Sequence, residues 1–594
     1  MAIFSERTVS TLLEWRARTS PQSPAFAVES ASGTWDAVSW QEFSARVRHL
    51  ARAMSSRGLR KGDRLAIIAP VRLEWELLHH AALSIGVIVI GIDAHDAPAR
   101  LAAMCDLAQV TAYALSGMPS TSTFAKQRLQ GARLVIDLDD SLFGLDGNVA
   151  SWAELSSTED DGEAPPDRPG ADDLATIVFT SGTTGEPKGI AYTHGQLMLA
   201  LTVIADAFDF VGESGHLLCW LPLSNLFQRM VNLAGLRNGP VSYLLSDPRR
   251  VMDVVKSVEP DVFIGVPRFY EKLSSAVQER VAGLPPFSRW IVKRAMRLGR
   301  VAADARLSGR VLPLQLQLQA AVADRLVLRR IRAVMGSRLR CMISGSAPTP
   351  MAILRDFEAL NWPVLEAYGL SENALPMAMN RLRARRIGSV GRPVQGNDIV
   401  VARDGSILVR GKGVFSGYLG HTESALDMAS FYATGDLGHF DSEGYLWLTG
   451  RATDMIKLST GRKLAPTECE ASIRTASGVE QALLVGDGRK CLVALCTCVG
   501  PLNVAARRAL ESRIEVSIAG VSNYARPLAI GILERPFALE QGELTANLKL
   551  RRASIIEKHR EIVEDLFALA ETAATAAVTW PRFLWLADRE PVAA

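Results

Sequence analysis

Residues 180–189 read TSGTTGEPKG, which puts three glycines, four hydroxyl side chains and a lysine within ten positions. A strand-like run, Ala175 to Phe179, leads into this segment, and apolar residues at helical spacing follow from Gln196 to Phe208. A strand feeding a glycine-rich turn before a helix gathers backbone N–H groups around phosphate oxygens. The plainer alternative is a Ser/Thr/Gly surface turn. The pattern G-x-x-x-x-G-K-[ST] cannot be fitted to Gly182, Gly185 and Lys188, so a kinase or P-loop ATPase loses its anchor. A G-x-S-x-G nucleophile elbow is absent too. Gly411-Lys412-Gly413 begins a G-x-G-x-x-G fingerprint, but Ser416 stands where its third glycine belongs. Hydrolase and dehydrogenase chemistry therefore have no anchor.

A large framework must position these residues. The chain has 594 residues, 48% hydrophobic and 22% charged, with 46 glycines and 28 prolines, enough apolar material for more than one core. Lys plus Arg total 66 against 63 acidic residues, a formal charge of +3, too balanced to point to nucleic acid as a partner. Cysteines at 105, 219, 341, 469, 491, 496 and 498 are odd in number and lack C-x-x-C spacing, which predicts a reduced, cytoplasmic protein without structural zinc. His79 and His80 lie in an apolar helix-like stretch and read as packed residues. Met1 to Thr11 lacks the apolar core of a secretory signal. The most apolar run, Ile85 to Ile92, is far shorter than the roughly 20 residues that span a bilayer. The expectation is a soluble or at most membrane-associated protein.

Residues 8 to 114 alternate helix-like stretches such as Trp40 to Ser56 with short β-branched runs, Arg64 to Ile68 and Val87 to Ile92. That is the rhythm of an α/β domain with parallel strands. The polar stretch Ser156 to Asp173 reads as a surface loop. Strand-like segments become dense between Ile399 and Leu448, with turn pairs at Asp404-Gly405 and Glu443-Gly444. The pattern changes after Gly450-Arg451, and Ala482 to Val499 reads as a hairpin around Asp487-Gly488. The expected organisation is an α/β multidomain chain: residues 1–451 with a β-rich subdomain, a hinge at 452–454, a small mobile α+β domain at 455–567 and a tail at 568–594.

TSGTTGEPKG closely resembles the phosphate loop of the adenylate-forming superfamily, the acyl-CoA synthetases, luciferases and peptide-synthetase adenylation domains. Further blocks follow in that family's order: LPLS at 221–224, GVPR at 265–268, ISGSAP at 343–348, YGLSE at 368–372, GSVGRP at 388–393, TGD at 434–436, GR at 450–451 and LTANLK at 544–549. The wording of LPLS, GVPRFYEK and RLRCMISGSAP is most similar to long-chain fatty acyl-CoA synthetases.

The resemblance implies ligation of a carboxylic acid to CoA in two steps, through an acyl-adenylate, with release of pyrophosphate and AMP. An anion must attack a polyanion, so catalysis comes from positioning and positive charge. Carried over residue by residue, Thr180, Ser181, Gly182, Thr183, Thr184 and Lys188 would hold the ATP phosphates. Glu372, with Thr184, would hold Mg2+. Ser344, Gly345, Ser346, Ala347 and Pro348, with Tyr368, Gly369 and Ser371, would wall the adenine pocket. Asp436 would accept hydrogen bonds from the ribose hydroxyls, and Arg451 lies at a second ribose position. Lys549 would bridge the acyl carboxylate and the α-phosphate during adenylation. Rotation about the hinge would then exchange it for the segment Ile456 to Pro466.

Two positions depart from the family pattern. Asn225 stands where His usually follows LPLS, and it cannot carry a proton charge near neutral pH. It is retained among the catalytic candidates, with slower adenylation or a differently gated acyl pocket as the expected consequence. Thr453 stands where the hinge is commonly Asp or Lys, which shifts the expected balance between the two domain orientations. Alternatives to the CoA ligase reading are an acyl-AMP ligase that loads a carrier protein and a degenerate nucleotide-binding regulator. Between Arg289 and Arg340, thirteen basic residues face two acidic ones, Asp304 and Asp324, interleaved with leucines. This is either a solvated helical excursion or an amphipathic surface giving weak peripheral membrane contact.

Overall fold

The computed structural model describes residues 8–94, 96–117, 124, 128–141, 148–157, 168–181, 187–420, 430–538, 541–544, 550–575 and 581–586. The runs Arg64–Ile68 and Ile88–Ile92 pair in parallel, and their side chains are buried on both faces, as strands flanked by helices require. They lie inside a seven-stranded sheet that ends in the antiparallel pair Leu174–Ser181 and Pro187–Thr193. A nine-stranded sheet carries His216–Cys219, Val262–Gly265, Cys341–Ser344 and Val364–Tyr368 as successive parallel neighbours. The four-stranded antiparallel sheet Asp398–Val401, Ser406–Arg410, Tyr432–Phe440 and Leu446–Arg451 follows. After it come the short helical turn Ala452–Asp454 and a smaller unit built on Gln481–Val485, Val493–Thr497, Ala529–Leu533 and Arg582–Leu586.

Local chemistry explains the helix starts. Ser39 caps Trp40–Ser56 by accepting from the Glu42 N–H, and the buried Trp40, Phe43, Val47, Leu50 and Met54 fall on one face. Thr193 and Gln196 form a reciprocal capping box at the start of His194–Ala207. Gly391, within GSVGRP, has φ +88°, and a Cβ there would lie 1.9 Å from the Met379 carbonyl carbon. Only glycine lets that turn close against the neighbouring strand.

Two segments differ from the sequence expectation. The glycine-rich segment leads from a strand into a second strand, Pro187–Thr193, before the helix begins. The reason is alternation: Ile190 and Tyr192 are buried on one face, a two-residue period that returns the chain along the sheet edge. The tail expected from residue 568 begins inside the helix Arg560–Thr575, and Arg582–Leu586 then adds a parallel strand beside Ala529–Leu533. Trp585 donates to Glu511 at 2.6 Å, and Arg507 lies 4.8 Å from its ring centroid, so the segment is part of the C-terminal unit.

His79 and His80 are fully packed in the helix Leu73–Ser84, with the Trp75 and Phe43 rings at 5.1 and 5.3 Å. Burial holds the His79 imidazole well below its usual range, His80 at about 3, and the equally enclosed His194 at about 4. The unfolded chain takes up protons near pH 6.5 where the folded chain does not. Stability is therefore retained above pH 6.5 and lost as pH falls toward these values, by about 1.4 kcal/mol per imidazole per pH unit. We expect the Tm to fall steadily from pH 7 to pH 5 and the slope to become shallower in His194→Leu. Parallel pH profiles for the two proteins would contradict this.

Candidate active site

The carboxyl ends of the central strands of the nine-stranded sheet gather the site residues. Ser344 ends Cys341–Ser344, is buried, and shares a 2.7 Å hydrogen bond with Thr349. Gly345 to Pro348 turn outward from it, with Ser346 in left-handed backbone at φ +73° and exposed. Tyr368 ends the next strand, and its phenol donates to Asp436 Oδ2 at 2.6 Å. Arg451 Nε donates to Asp436 Oδ1 at 2.9 Å, because Asp436 and Arg451 are register partners in the four-stranded sheet. Burial, and then the Asp436 carboxylate, push the Tyr368 phenol well above its usual range, so the ring keeps its proton and remains a donor.

The hairpin neck lies near the same edge. Thr180 pairs with Lys188 and Ser181 with Pro187 across the two strands. Gly182, Thr183 and Thr184 lie outside the described residues, as does Lys549. Lys188 Nζ sits 5.0 Å from the centroid of the Tyr418 ring, while the Tyr418 hydroxyl donates to Glu372 Oε1 at 2.7 Å. The chain around Tyr418 is itself held to the hairpin: Leu419 N–H donates to the Gly189 carbonyl at 2.9 Å, and Tyr418 pairs with Ile190. A Cβ at Gly189 would fall 2.7 Å from Leu419 Cδ1, so a side chain there would have to push the Leu419 methyl aside. Tyr192 donates to the Ser371 carbonyl and ties YGLSE to the same strand. The motif blocks thus form two connected clusters, Tyr368–Asp436–Arg451 and Lys188–Tyr418–Glu372.

Tyr418 was not among the sequence candidates. The signal was its place just after the glycine-bearing run Gly411–Gly417, where only long-range pairing with the hairpin gives it a role. Asn225 has a different place from a buried acid or base. It is exposed and caps the helix Leu226–Asn238, its Oδ1 accepting from the Phe227 N–H at 3.0 Å. Asparagine is a strong cap, which gives this residue a structural reason to stand after LPLS. Thr453 lies exposed within the turn Ala452–Asp454. On either side of that turn, Arg268 meets Glu480 at 2.9 Å and Arg474 meets Glu271 at 3.4 Å, two ion pairs of opposite polarity between the large unit and the C-terminal one.

Comparison with known proteins decides the family. The AMP-binding enzyme model matches residues 13–419, and the AMP-binding enzyme C-terminal domain model matches 453–571. The chain belongs to the AMP-binding enzyme family. Among its relatives is the long-chain-fatty-acid–CoA ligase FadD15 of Mycobacterium bovis, 28% identical over 90% of this chain and 93% of that protein. The fold is similar to the adenylation domain of a carboxylate reductase from Mycobacterium chelonae (TM-score 0.74, 20% identity, 95% of this chain and 91% of that one). It is also similar to O-succinylbenzoate CoA synthetase from Bacillus subtilis solved with ATP and magnesium ion (TM-score 0.64, 19% identity, 92% of this chain and 99% of that one). In this AMP-binding enzyme Tyr368, Asp436 and Arg451 form one hydrogen-bonded cluster, with Tyr368 and Arg451 at the ends of their strands.

Proposed function

We propose that this AMP-binding enzyme activates a long-chain carboxylic acid with ATP and transfers the acyl group to CoA, releasing pyrophosphate and AMP. The observation that carries the nucleotide half of the reading is the Asp436 carboxylate. Each of its oxygens accepts one protein hydrogen bond, from Tyr368 or Arg451, and an ionised carboxylate offers about four acceptor positions. Two therefore remain for a ribose diol. The acyl half rests on relatives such as FadD15, whose name carries a long-chain acid and CoA.

In this reading Thr180 and Lys188, with the hydroxyls and amides of 181–184, bind the polyphosphate, and Lys188 supplies charge beside it. Glu372 fits a magnesium ion: Tyr418 engages Oε1, and no other donor to this carboxylate occurs among the described residues. Bound there with Thr184, the ion would neutralise phosphate charge as a Lewis acid. Lys549 carries the second positive charge, to the acyl carboxylate and α-phosphate, where Coulomb attraction is far stronger in a closed, dry site than at the surface. Turning about Thr453 withdraws Lys549 and admits the thiol.

Tyr418→Phe tests the second cluster. Removing a partner that orients a metal-binding carboxylate costs about tenfold in metal affinity or activity. We expect the Mg2+ concentration for half-maximal adenylation to rise about tenfold while thioester formation from supplied acyl-adenylate is unchanged; an unaltered Mg2+ titration would contradict the assignment. The reading as a whole is tested by acid-dependent AMP production across acids from short to long, with and without CoA. Turnover that needs a long acid and CoA is the expected result. Adenylate without CoA turnover would point instead to a carrier-protein acceptor.

A further inference from the structure

The helix Pro286–Leu307 and the helix Leu314–Ala323, which runs on through Asp324–Leu328 and Arg329–Arg332, pack against each other and form an excursion from the large sheet. The excursion is firmly seated. Ala295, Gly299 and Ala303 are buried, and a Cβ on Gly299 would lie 2.4 Å from the Ala359 carbonyl oxygen. Its outer face reverses the usual pattern. Leu314, Leu318, Val322 and Leu326 follow one another at four-residue steps and are 71%, 60%, 57% and 57% exposed. Four-residue steps keep side chains on one helical face, so these residues form a continuous apolar stripe with no protein cover among the described residues. On the neighbouring helix, Phe287 and Trp290 are exposed too, their rings stacked with centroids 6.2 Å apart.

The charges around the stripe indicate what covers it. Lys293, Arg294, Arg297, Arg325, Arg329 and Arg330 are exposed, and none forms an ion pair among the described residues. Asp324, one of the two acids between Arg289 and Arg340, is held by Arg332. A second copy seated on this face would bring like charges together across a self-complementary interface. An anionic bilayer surface does the opposite, taking the apolar stripe into its acyl boundary and the cations at its headgroups, with the Phe–Trp pair at the depth where aromatic rings collect. No helix among the described residues is long and apolar enough to cross a membrane, which fits a helix lying in the interface.

We infer that this helical excursion docks the protein on anionic phospholipid surfaces through the Leu314–Leu326 stripe and its flanking arginines. The inference goes beyond the proposed activity and stands apart from it, because binding is measured without acid, ATP or CoA. The test is co-sedimentation of the full chain with vesicles of phosphatidylcholine alone and of phosphatidylcholine mixed with phosphatidylglycerol, at low and high salt, with light scattering in the absence of vesicles. We expect binding to the mixed vesicles at low salt, at least tenfold weaker without phosphatidylglycerol or at high salt. Leu318→Gln/Val322→Gln should weaken it at least tenfold at unchanged Tm, since two exposed side chains lose an apolar environment. Arg325→Glu/Arg329→Glu should do the same by reversing charge. A wild-type protein left in the supernatant with anionic vesicles at low salt would overturn the inference. So would Leu318→Gln/Val322→Gln binding as well as wild type, or wild-type dimers that this variant abolishes, which would make a second copy the occupant.

Discussion

Lys549→Ala is expected to lower acid-dependent pyrophosphate release by about 10²–10³-fold, the scale on which one preorganised charge at a reacting centre acts. Thioester formation from supplied acyl-adenylate and CoA should remain within about threefold of wild type, because in the two-orientation account this lysine has left the site by then. Of the two arginines that follow, Arg552 has its charge engaged within the C-terminal unit. Arg552 pairs with Glu470 at 2.7 Å, and the Arg551 N–H donates to the Glu543 carbonyl at 2.9 Å, while Leu544 and Leu550 pair across an antiparallel bridge. Lys549→Arg retains charge and should recover only part of the rate, since a planar fork does not replace a compact ammonium. Equal loss in both half-reactions would contradict either the lysine assignment or the rotation.

Asp436→Ala is expected to weaken ATP binding about 100-fold. The substitution removes two acceptor positions assigned to the ribose, takes the Asp436 partner from the buried Tyr368 hydroxyl and breaks the ion pair to Arg451. Hydrogen bonds to a charged group are worth about 1.5–3 kcal/mol each, and a factor of ten in affinity is about 1.4 kcal/mol. Calorimetric titration with ATP on the free enzyme reads this directly, and a parallel Tm measurement separates nucleotide loss from unfolding. Asp436→Asn keeps one acceptor oxygen and should fall between the two proteins. Unchanged ATP affinity in Asp436→Ala would remove the ribose role.

Much of the fold was legible because it is written in local periodicity. The run Arg64–Ile68 and the capped helix Trp40–Ser56 each carry their own pattern, and both form with those bounds. The second strand of the hairpin was not legible in the same way, since Pro187 to Thr193 reads as an extension of a glycine-rich turn until its register with Leu174–Ser181 is known. The strand Arg582–Leu586 depends on a partner more than forty residues earlier in the chain, Ala529–Leu533, and no short-range pattern announces it. At the site, family blocks marked Tyr368, Asp436 and Arg451; register within the four-stranded sheet pairs Asp436 with Arg451, and the Tyr368 hydroxyl reaches the same carboxylate from the end of its own strand. Tyr418 escaped because its meaning lies in two contacts, to Lys188 and to Glu372, made by residues about 230 and 46 positions away. Asn225 could be read from sequence only as a missing imidazole, whereas its backbone position makes it a helix cap.

Asn225 is an exposed helix cap whose Oδ1 accepts from the Phe227 N–H. In the proposed adenylation step it carries no proton, and we propose that positioning and charge supply the catalysis there. The ion pairs Arg268–Glu480 and Glu271–Arg474 cross between the two units, and a rotation about Thr453 has to part or exchange them. Arg268→Ala is therefore the natural companion to any hinge variant.

The central claim is that one active site makes an acyl-adenylate and then passes the acyl group to CoA. A single-turnover experiment tests it most directly: enzyme in excess over a long-chain acid, mixed with ATP and Mg2+, quenched and analysed by mass spectrometry, then chased with CoA. Accumulation of the acyl-adenylate, followed by its conversion to acyl-CoA with release of AMP, is the predicted result. Formation of acyl-CoA with ADP and phosphate, or no adenylate from any acid, would contradict it.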